Sequence, residues 1–212
     1  MVQTLSINFE RPIPVFPLSS SVLLPHVALP LHIFEPRYLQ MTKEALDSHG
    51  LIAMAVFEHT PSEQEYQHGR PPLKPHVCLG YIAQYNPLEN GRYLLLLQGV
   101  CRAKLVDEID HEPYRMAHLS PIDIEPADDE QLAEIRHRLE ALVLTSDFDD
   151  VDGIDELRQI LSQDTPTFAV IDLAAMTFCR ADAERMYTVL ADPDAASRGR
   201  WLIEQLEHHQ DD

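Results

Sequence analysis

Nowhere in its 212 residues does the sequence reach about 18 apolar residues in succession, the length a membrane-spanning helix needs. Its start, MVQTLSINFERP, has neither the basic nor the apolar segment of a secretory leader. The chain is therefore expected in the cytoplasm, without a membrane partner. Cysteine is scarce: Cys78, Cys101 and Cys179 stand far apart with no CxxC pair. That excludes a disulfide framework and leaves small, reduced core residues as their expected role. HExxH, GxSxG and GxxxxGK[ST] are all missing. No zinc-protease, serine-hydrolase or P-loop site is recognisable, and no cofactor or metal is expected.

Basic residues are also few. Lys and Arg number 16 against 35 Asp and Glu, a formal charge of −19. Residues 1–119 hold nine basic and twelve acidic side chains, whereas 120–212 hold seven and 23. A surface of that sign repels phosphates and forgoes the counterion release that drives nucleic-acid binding, so nucleic acid is disfavoured as a partner. Only a gathering of Arg92, Arg102, Lys104 and Arg115 on one face would reopen an RNA-binding reading.

What is present divides near residue 125. Before it, short apolar runs alternate with turn signals, as in a small antiparallel β-structure. IPVFPL (13–18) reads as an edge strand, because its prolines cannot donate to a ladder. Val22–Leu24 and Leu29–Ile33 read as short strands. From Pro36 the apolar spacing becomes helical (Tyr38, Leu39, Thr42, Ala45, Leu46), with Gly50 as the C-terminal stop. LIAMAVF (51–57) is a buried strand, and the proline-rich 58–76 a long surface loop or hairpin tip. Asn90-Gly91 supplies positive φ angles for a hairpin, Gly99 marks a bulge or bend, and Tyr114–Ile124 reads as a closing strand. Behind EPADDE the period turns to 3.6 and four or five helices follow. Leu132, Ile135, Leu139, Leu142 and Val143 form one stripe, and the nearly all-apolar FAVIDLAAMTF marks a central helix. Thr165-Pro166, Asp182 and Asp192-Pro193 read as helix starts. Two units result, a β-domain over 1–125 and a helical bundle over 126–212.

Four motifs in this order, PVFPLSSSVLLPHVALPLHIFEPRYLQM, LIAMAVF, VCLGYIAQ and GRYLLLLQGVCRAKLV, resemble the Lon protease N-terminal domain, also called the Lon substrate-binding domain. That domain occurs alone in many bacteria and within cereblon. The resemblance covers the whole chain. It implies an α+β fold: a PUA-like β pseudo-barrel with one inserted helix, followed by a C-terminal α-helical bundle. It also implies a non-catalytic polypeptide-binding module, an adaptor or regulator in protein quality control. The implied partners are unfolded or hydrophobic polypeptide segments, with a protease or another protein. Proteolysis does not carry over, since neither an ATPase nor a serine–lysine protease domain is in evidence, and no enzyme is expected. An RNA-binding PUA-like protein and a cryptic hydrolase are the alternatives.

The candidate site residues lie in LPLHIFEPRYLQM (29–41): His32, Phe34, Glu35, Arg37 and Tyr38 form either a peptide contact or a structural corner. As a corner, the Glu35 carboxylate meets free N–H groups at the helix start, and Arg37 ties the turn to a nearby carbonyl or carboxylate. As a contact, Arg37 and Tyr38 face a peptide. His32 is expected to be buried or hydrogen-bonded rather than a metal ligand. His68, His76 and Cys78 have no metal-site spacing, and Ser19–Ser21 fit a turn. Phe16, Leu24, Ile33, Phe34 and Phe57 either fill the core or line a groove, and an exposed sheet edge offers a peptide a second mode of docking.

Overall fold

The computed structural model of the chain describes residues 7–122 and 129–208. Six strands, β1 (Ile13–Leu18), β2 (Ala28–Ile33), β3 (Leu51–Val56), β4 (His76–Pro87), β5 (Tyr93–Ile109) and β6 (Arg115–Pro121), form one mixed sheet in the order β2-β5-β4-β3-β1-β6. The 17-residue β5 closes it. β2 pairs with its residues 93–98, β4 with 93–104 and β6 with 103–109, so that β5, β4, β3, β1 and β6 make a ring. Register shifts at Leu79/Gly80 and Leu105/Asp107 supply the bend. At the first of these, Gly99 passes so close to the 24–27 turn that a Cβ would lie 2.0 Å from the Leu24 carbonyl oxygen. Its amide donates to Val27 O at 2.8 Å and its carbonyl accepts from His26 N at 3.1 Å.

β1 is not an edge. It lies between β3, its parallel partner, and β6. The two pairings overlap only at Val15: Pro14 faces β6 alone and Pro17 faces β3 alone, so each proline sits where one side of the strand is open. Val22–Leu24 is buried but forms no strand, because Pro25 and the left-handed His26 (φ 66) turn the chain into the core. The hairpin after β4 takes positive φ only at Gly91 (φ 76), whose amide donates to Leu88 O at 2.9 Å.

Two helices, not one, interrupt the strands. α1 (Pro36–Leu46) has Asp47 as its C-cap, and Gly50, three residues further on, takes the left-handed conformation (φ 68) with its amide donating to Ala45 O at 2.8 Å; the span expected as a loop contains α2 (Glu63–His68). A capping box starts α2: Ser62 Oγ accepts from Glu65 N, and Ser62 N donates to the Glu65 carboxylate at 2.8 Å. The remaining helices are α3 (Asp129–Thr145), α4 (Ile154–Leu161), α5 (Thr167–Cys179), α6 (Ala183–Ala191) and α7 (Ala195–His208). α5 packs against the other four, as its apolar surface requires. It is preceded by Pro166 in an extended conformation instead of being capped by Thr165. At α7 the side chain that accepts a first-turn amide is Asp194, not Asp192, whereas Asp182 caps α6. The expected boundary at residue 125 lies outside the described residues.

The barrel interior is small and is filled by Ala53, Ala55, Ala103 and Ala117 beside Val15 and Leu79. A larger core joins the other sheet face to the helices. Within it lies a buried charge cluster. Arg102 of β5 donates to both carboxylate oxygens of Asp172 on α5, at 2.5 and 3.1 Å, and Arg198 of α7 approaches the same carboxylate at 3.6 Å. His76 and Lys74 meet Tyr187 and Glu184 of α6 along the same seam.

Candidate functional site

Strand β2 delivers the chain to a corner at Phe34–Arg37. Pro36 has its φ preset for the first helical turn, where no N–H is needed, and the Glu35 carbonyl accepts from Leu39 N at 2.9 Å. The Glu35 carboxylate makes no bond to the helix amides, which corrects the capping role expected for it. Both its oxygens are taken by stronger, charge-assisted donors: Oε2 by Nε and Nη2 of Arg37 at 3.2 and 3.0 Å, Oε1 by the Tyr66 hydroxyl at 2.6 Å. Arg37 Nη1 donates to the Tyr66 carbonyl at 2.9 Å, and the guanidinium lies 4.3 Å from the Tyr66 ring centre and 4.8 Å from that of Tyr38.

Over this corner opens a cleft of about 640 Å³, bounded by α2 on one side and by the turn from His111 to Arg115 on the other. Phe34, 55% exposed, stands at its rim; Phe57 and Tyr66 meet edge to face inside it, with ring centres 6.1 Å apart. Burial, followed by hydrogen bonds to glutamates among other contacts, pushes the phenols of Tyr66 and Tyr114 above the ordinary value near 10, and burial does the same for Tyr38. These rings are thus neutral donors at physiological pH. Among the described residues, the lining contains His68 and His111 but no serine, threonine, cysteine or lysine.

The structure thus brings Phe34, Glu35, Arg37 and Tyr38 to one cleft and leaves His32 outside it. His32 is exposed on β2, its ring 5.7 Å from Phe34, so of the two expected alternatives, buried or hydrogen-bonded, burial is the one that fails: the strand alternates, and His32 takes the outward phase. Of the apolar candidates, Phe16, Leu24 and Ile33 are core, and Phe34 and Phe57 line the cleft. His68 faces the cleft while Cys78 is buried, and no metal-binding group of three or more His, Cys, Asp or Glu exists among the described residues. Arg102 is 1% exposed, so Arg92, Arg102, Lys104 and Arg115 do not make a common surface patch. Tyr66 and Arg70 escaped the sequence reading. Their one signal was Ser62-Glu-Gln-Glu65, a capping box hidden among prolines.

This fold is shared with solved Lon N-terminal domains. The N-terminal domain of the Lon protease of the Mycobacterium avium complex aligns with a TM-score of 0.69 and 16% identity, covering 94% of this chain and 100% of that one. The Lon N-terminal domain protein of Xanthomonas campestris aligns with a TM-score of 0.58 and 17% identity, covering 92% and 98%. Residues 12–208 match the ATP-dependent protease La (LON) substrate-binding domain, and the chain belongs to that family. Among full-length relatives, the Lon protease of Desulfosudis oleivorans is 27% identical over 52% of this chain and 13% of its own length. That of Cytophaga hutchinsonii is 21% identical over 94% and 24%. The chain thus spans a quarter or less of either protease.

Proposed function

We propose that the protein is a non-catalytic, cytoplasmic polypeptide-binding module that takes extended apolar segments of unfolded proteins into the cleft beside Phe34. Its place would be as an adaptor or regulator in protein quality control. The observation that carries this reading is a cleft with an exposed aromatic at its rim, in a chain of the substrate-binding family. A large ring left in water is a ready anchor for a partner. The cleft arginines already donate to the protein's own groups, so apolar contact and neutral hydrogen bonds are left to supply affinity, and binding should tolerate salt.

Photo-cross-linking tests where the segment lies. A permanently unfolded, reduced and alkylated polypeptide carrying a photoreactive group should label Phe34–Tyr38, Tyr66 and the 111–115 turn. Labelling confined to the acidic helices α3–α7, or to the outer edge of β2, would remove the cleft from this role.

A further inference from the structure

α2 stands at the tip of an excursion pinned at its base. Glu58 N donates to Pro72 O at 2.9 Å, Lys74 N donates to Val56 O at 2.8 Å, and Phe57 bridges to Leu73. Beyond that neck, residues 59–70 bury little apart from the half-buried Tyr66, while Pro71 is buried at the base: α2 has no fully buried residue, and its backbone bonds, Tyr66 N to Ser62 O and Gly69 N to Glu65 O, stay within the excursion. What fastens it to the body is a set of side chains. Arg37 donates from α1 to the Tyr66 carbonyl at 2.9 Å, and Arg115 from β6 to the Pro71 carbonyl at 2.6 Å. Arg70 reaches the opposite way, to Ile109 O at 3.4 Å and His111 O at 2.5 Å. Tyr66 adds its bond to Glu35 and its edge-to-face contact with Phe57. All three cleft arginines therefore span from the excursion to the wall it faces.

We infer that residues 59–71 form a flap over the cleft, fastened by these arginines and by Tyr66, and that its release admits the polypeptide. The inference rests on the polypeptide-binding reading. A segment that buries little and is held by partly exposed side-chain bonds opens at far lower cost than the strands it springs from. Opening it parts the two arginine-spanned walls and uncovers Phe57, a core ring at the floor. The capping box lets α2 keep its first turn while detached, so the flap moves as a unit about its neck.

Native-state hydrogen exchange on the whole chain, with no ligand, tests the flap; stopped-flow association with a labelled, permanently unfolded polypeptide tests the gate. The amides of Tyr66 and Gly69 should exchange by local opening, far faster than those of the neighbouring β3. Arg70→Ala should raise that exchange about fivefold and the association rate by a similar factor, the scale of one partly exposed charge-assisted contact. Tyr66→Phe should do the same more weakly. Exchange of Tyr66 and Gly69 amides as slow as β3 would overturn the flap. Faster exchange in Arg70→Ala with an unchanged association rate would overturn the gate. Absence of binding by the unaltered protein would remove the polypeptide reading itself, a failure told apart because the exchange measurement needs no ligand.

Discussion

At the scale of single residues, Asp172 carries the heaviest consequence. It is fully buried, bonded to Arg102 through both oxygens and close to Arg198. Removing one member of such a group leaves buried charge uncompensated, which costs more than the pair itself contributes. Asp172→Ala should lower unfolding stability by about 3–5 kcal/mol, seen as a fall in the urea midpoint. A loss under about 1 kcal/mol would mean that water reaches Arg102 and that the cluster is not sealed. The sequence held a signal for this group that spacing rules do not weigh: one acid inside FAVIDLAAMTF, a helix apolar on most sides. The partner, Arg102, lies 70 residues earlier and leaves no local trace. Glu35 and Arg37 were legible as a pair, but their third member, Tyr66, is 31 residues from Glu35 and became visible only once α2 was folded against α1.

At the scale of elements, the β4–α6 seam makes a pH-dependent contact. The His76 imidazole is held below its ordinary value near 6.5, first by burial and then by the Lys104 cation; its backbone amide donates to the Tyr187 hydroxyl at 3.0 Å, and Lys74 and Glu184 lie beside it. A histidine depressed in the folded state takes up its proton later than in the unfolded chain. Its contribution is therefore intact above about pH 6.5 and is lost as the pH falls below that value. Between pH 7.5 and 5.5 the urea midpoint of the parent chain should drop further than that of His76→Gln, which keeps the backbone bond to Tyr187. Equal drops would place the pH dependence elsewhere. Most elements were readable from period and punctuation, since β3, β5, α3 and α5 each carry a long, consistent pattern. The misreadings have physical causes. Prolines made β1 look like an edge because pairing on its two sides barely overlaps, and prolines around α2 concealed its cap. Val22–Leu24 is as apolar as a strand, but Pro25 and His26 turn it inward.

At the scale of the whole molecule, the acidic helices and the nearly balanced barrel have different surroundings. The net charge of −19 sits mostly on residues 120–212, whereas the cleft lies wholly on the barrel side, where basic and acidic groups pair with one another. A polypeptide approaching the cleft meets aromatic rings and satisfied charges rather than a strong field. The barrel-plus-bundle architecture was legible as a resemblance. The closing of the ring by β5, the second helix and the cleft were not, because they depend on pairings between distant segments that composition and period do not encode. The central claim, that the cleft beside Phe34 holds unfolded polypeptide, is tested most directly by fluorescence anisotropy of a labelled, permanently unfolded protein titrated with this chain at low and high salt. Phe34→Ser is the matched control, since Phe34 is exposed and its loss leaves the core intact. The account predicts saturable binding that survives high salt and weakens about tenfold in Phe34→Ser, the scale of one buried aromatic anchor. Binding that is equal in Phe34→Ser, or that vanishes with salt, would contradict it.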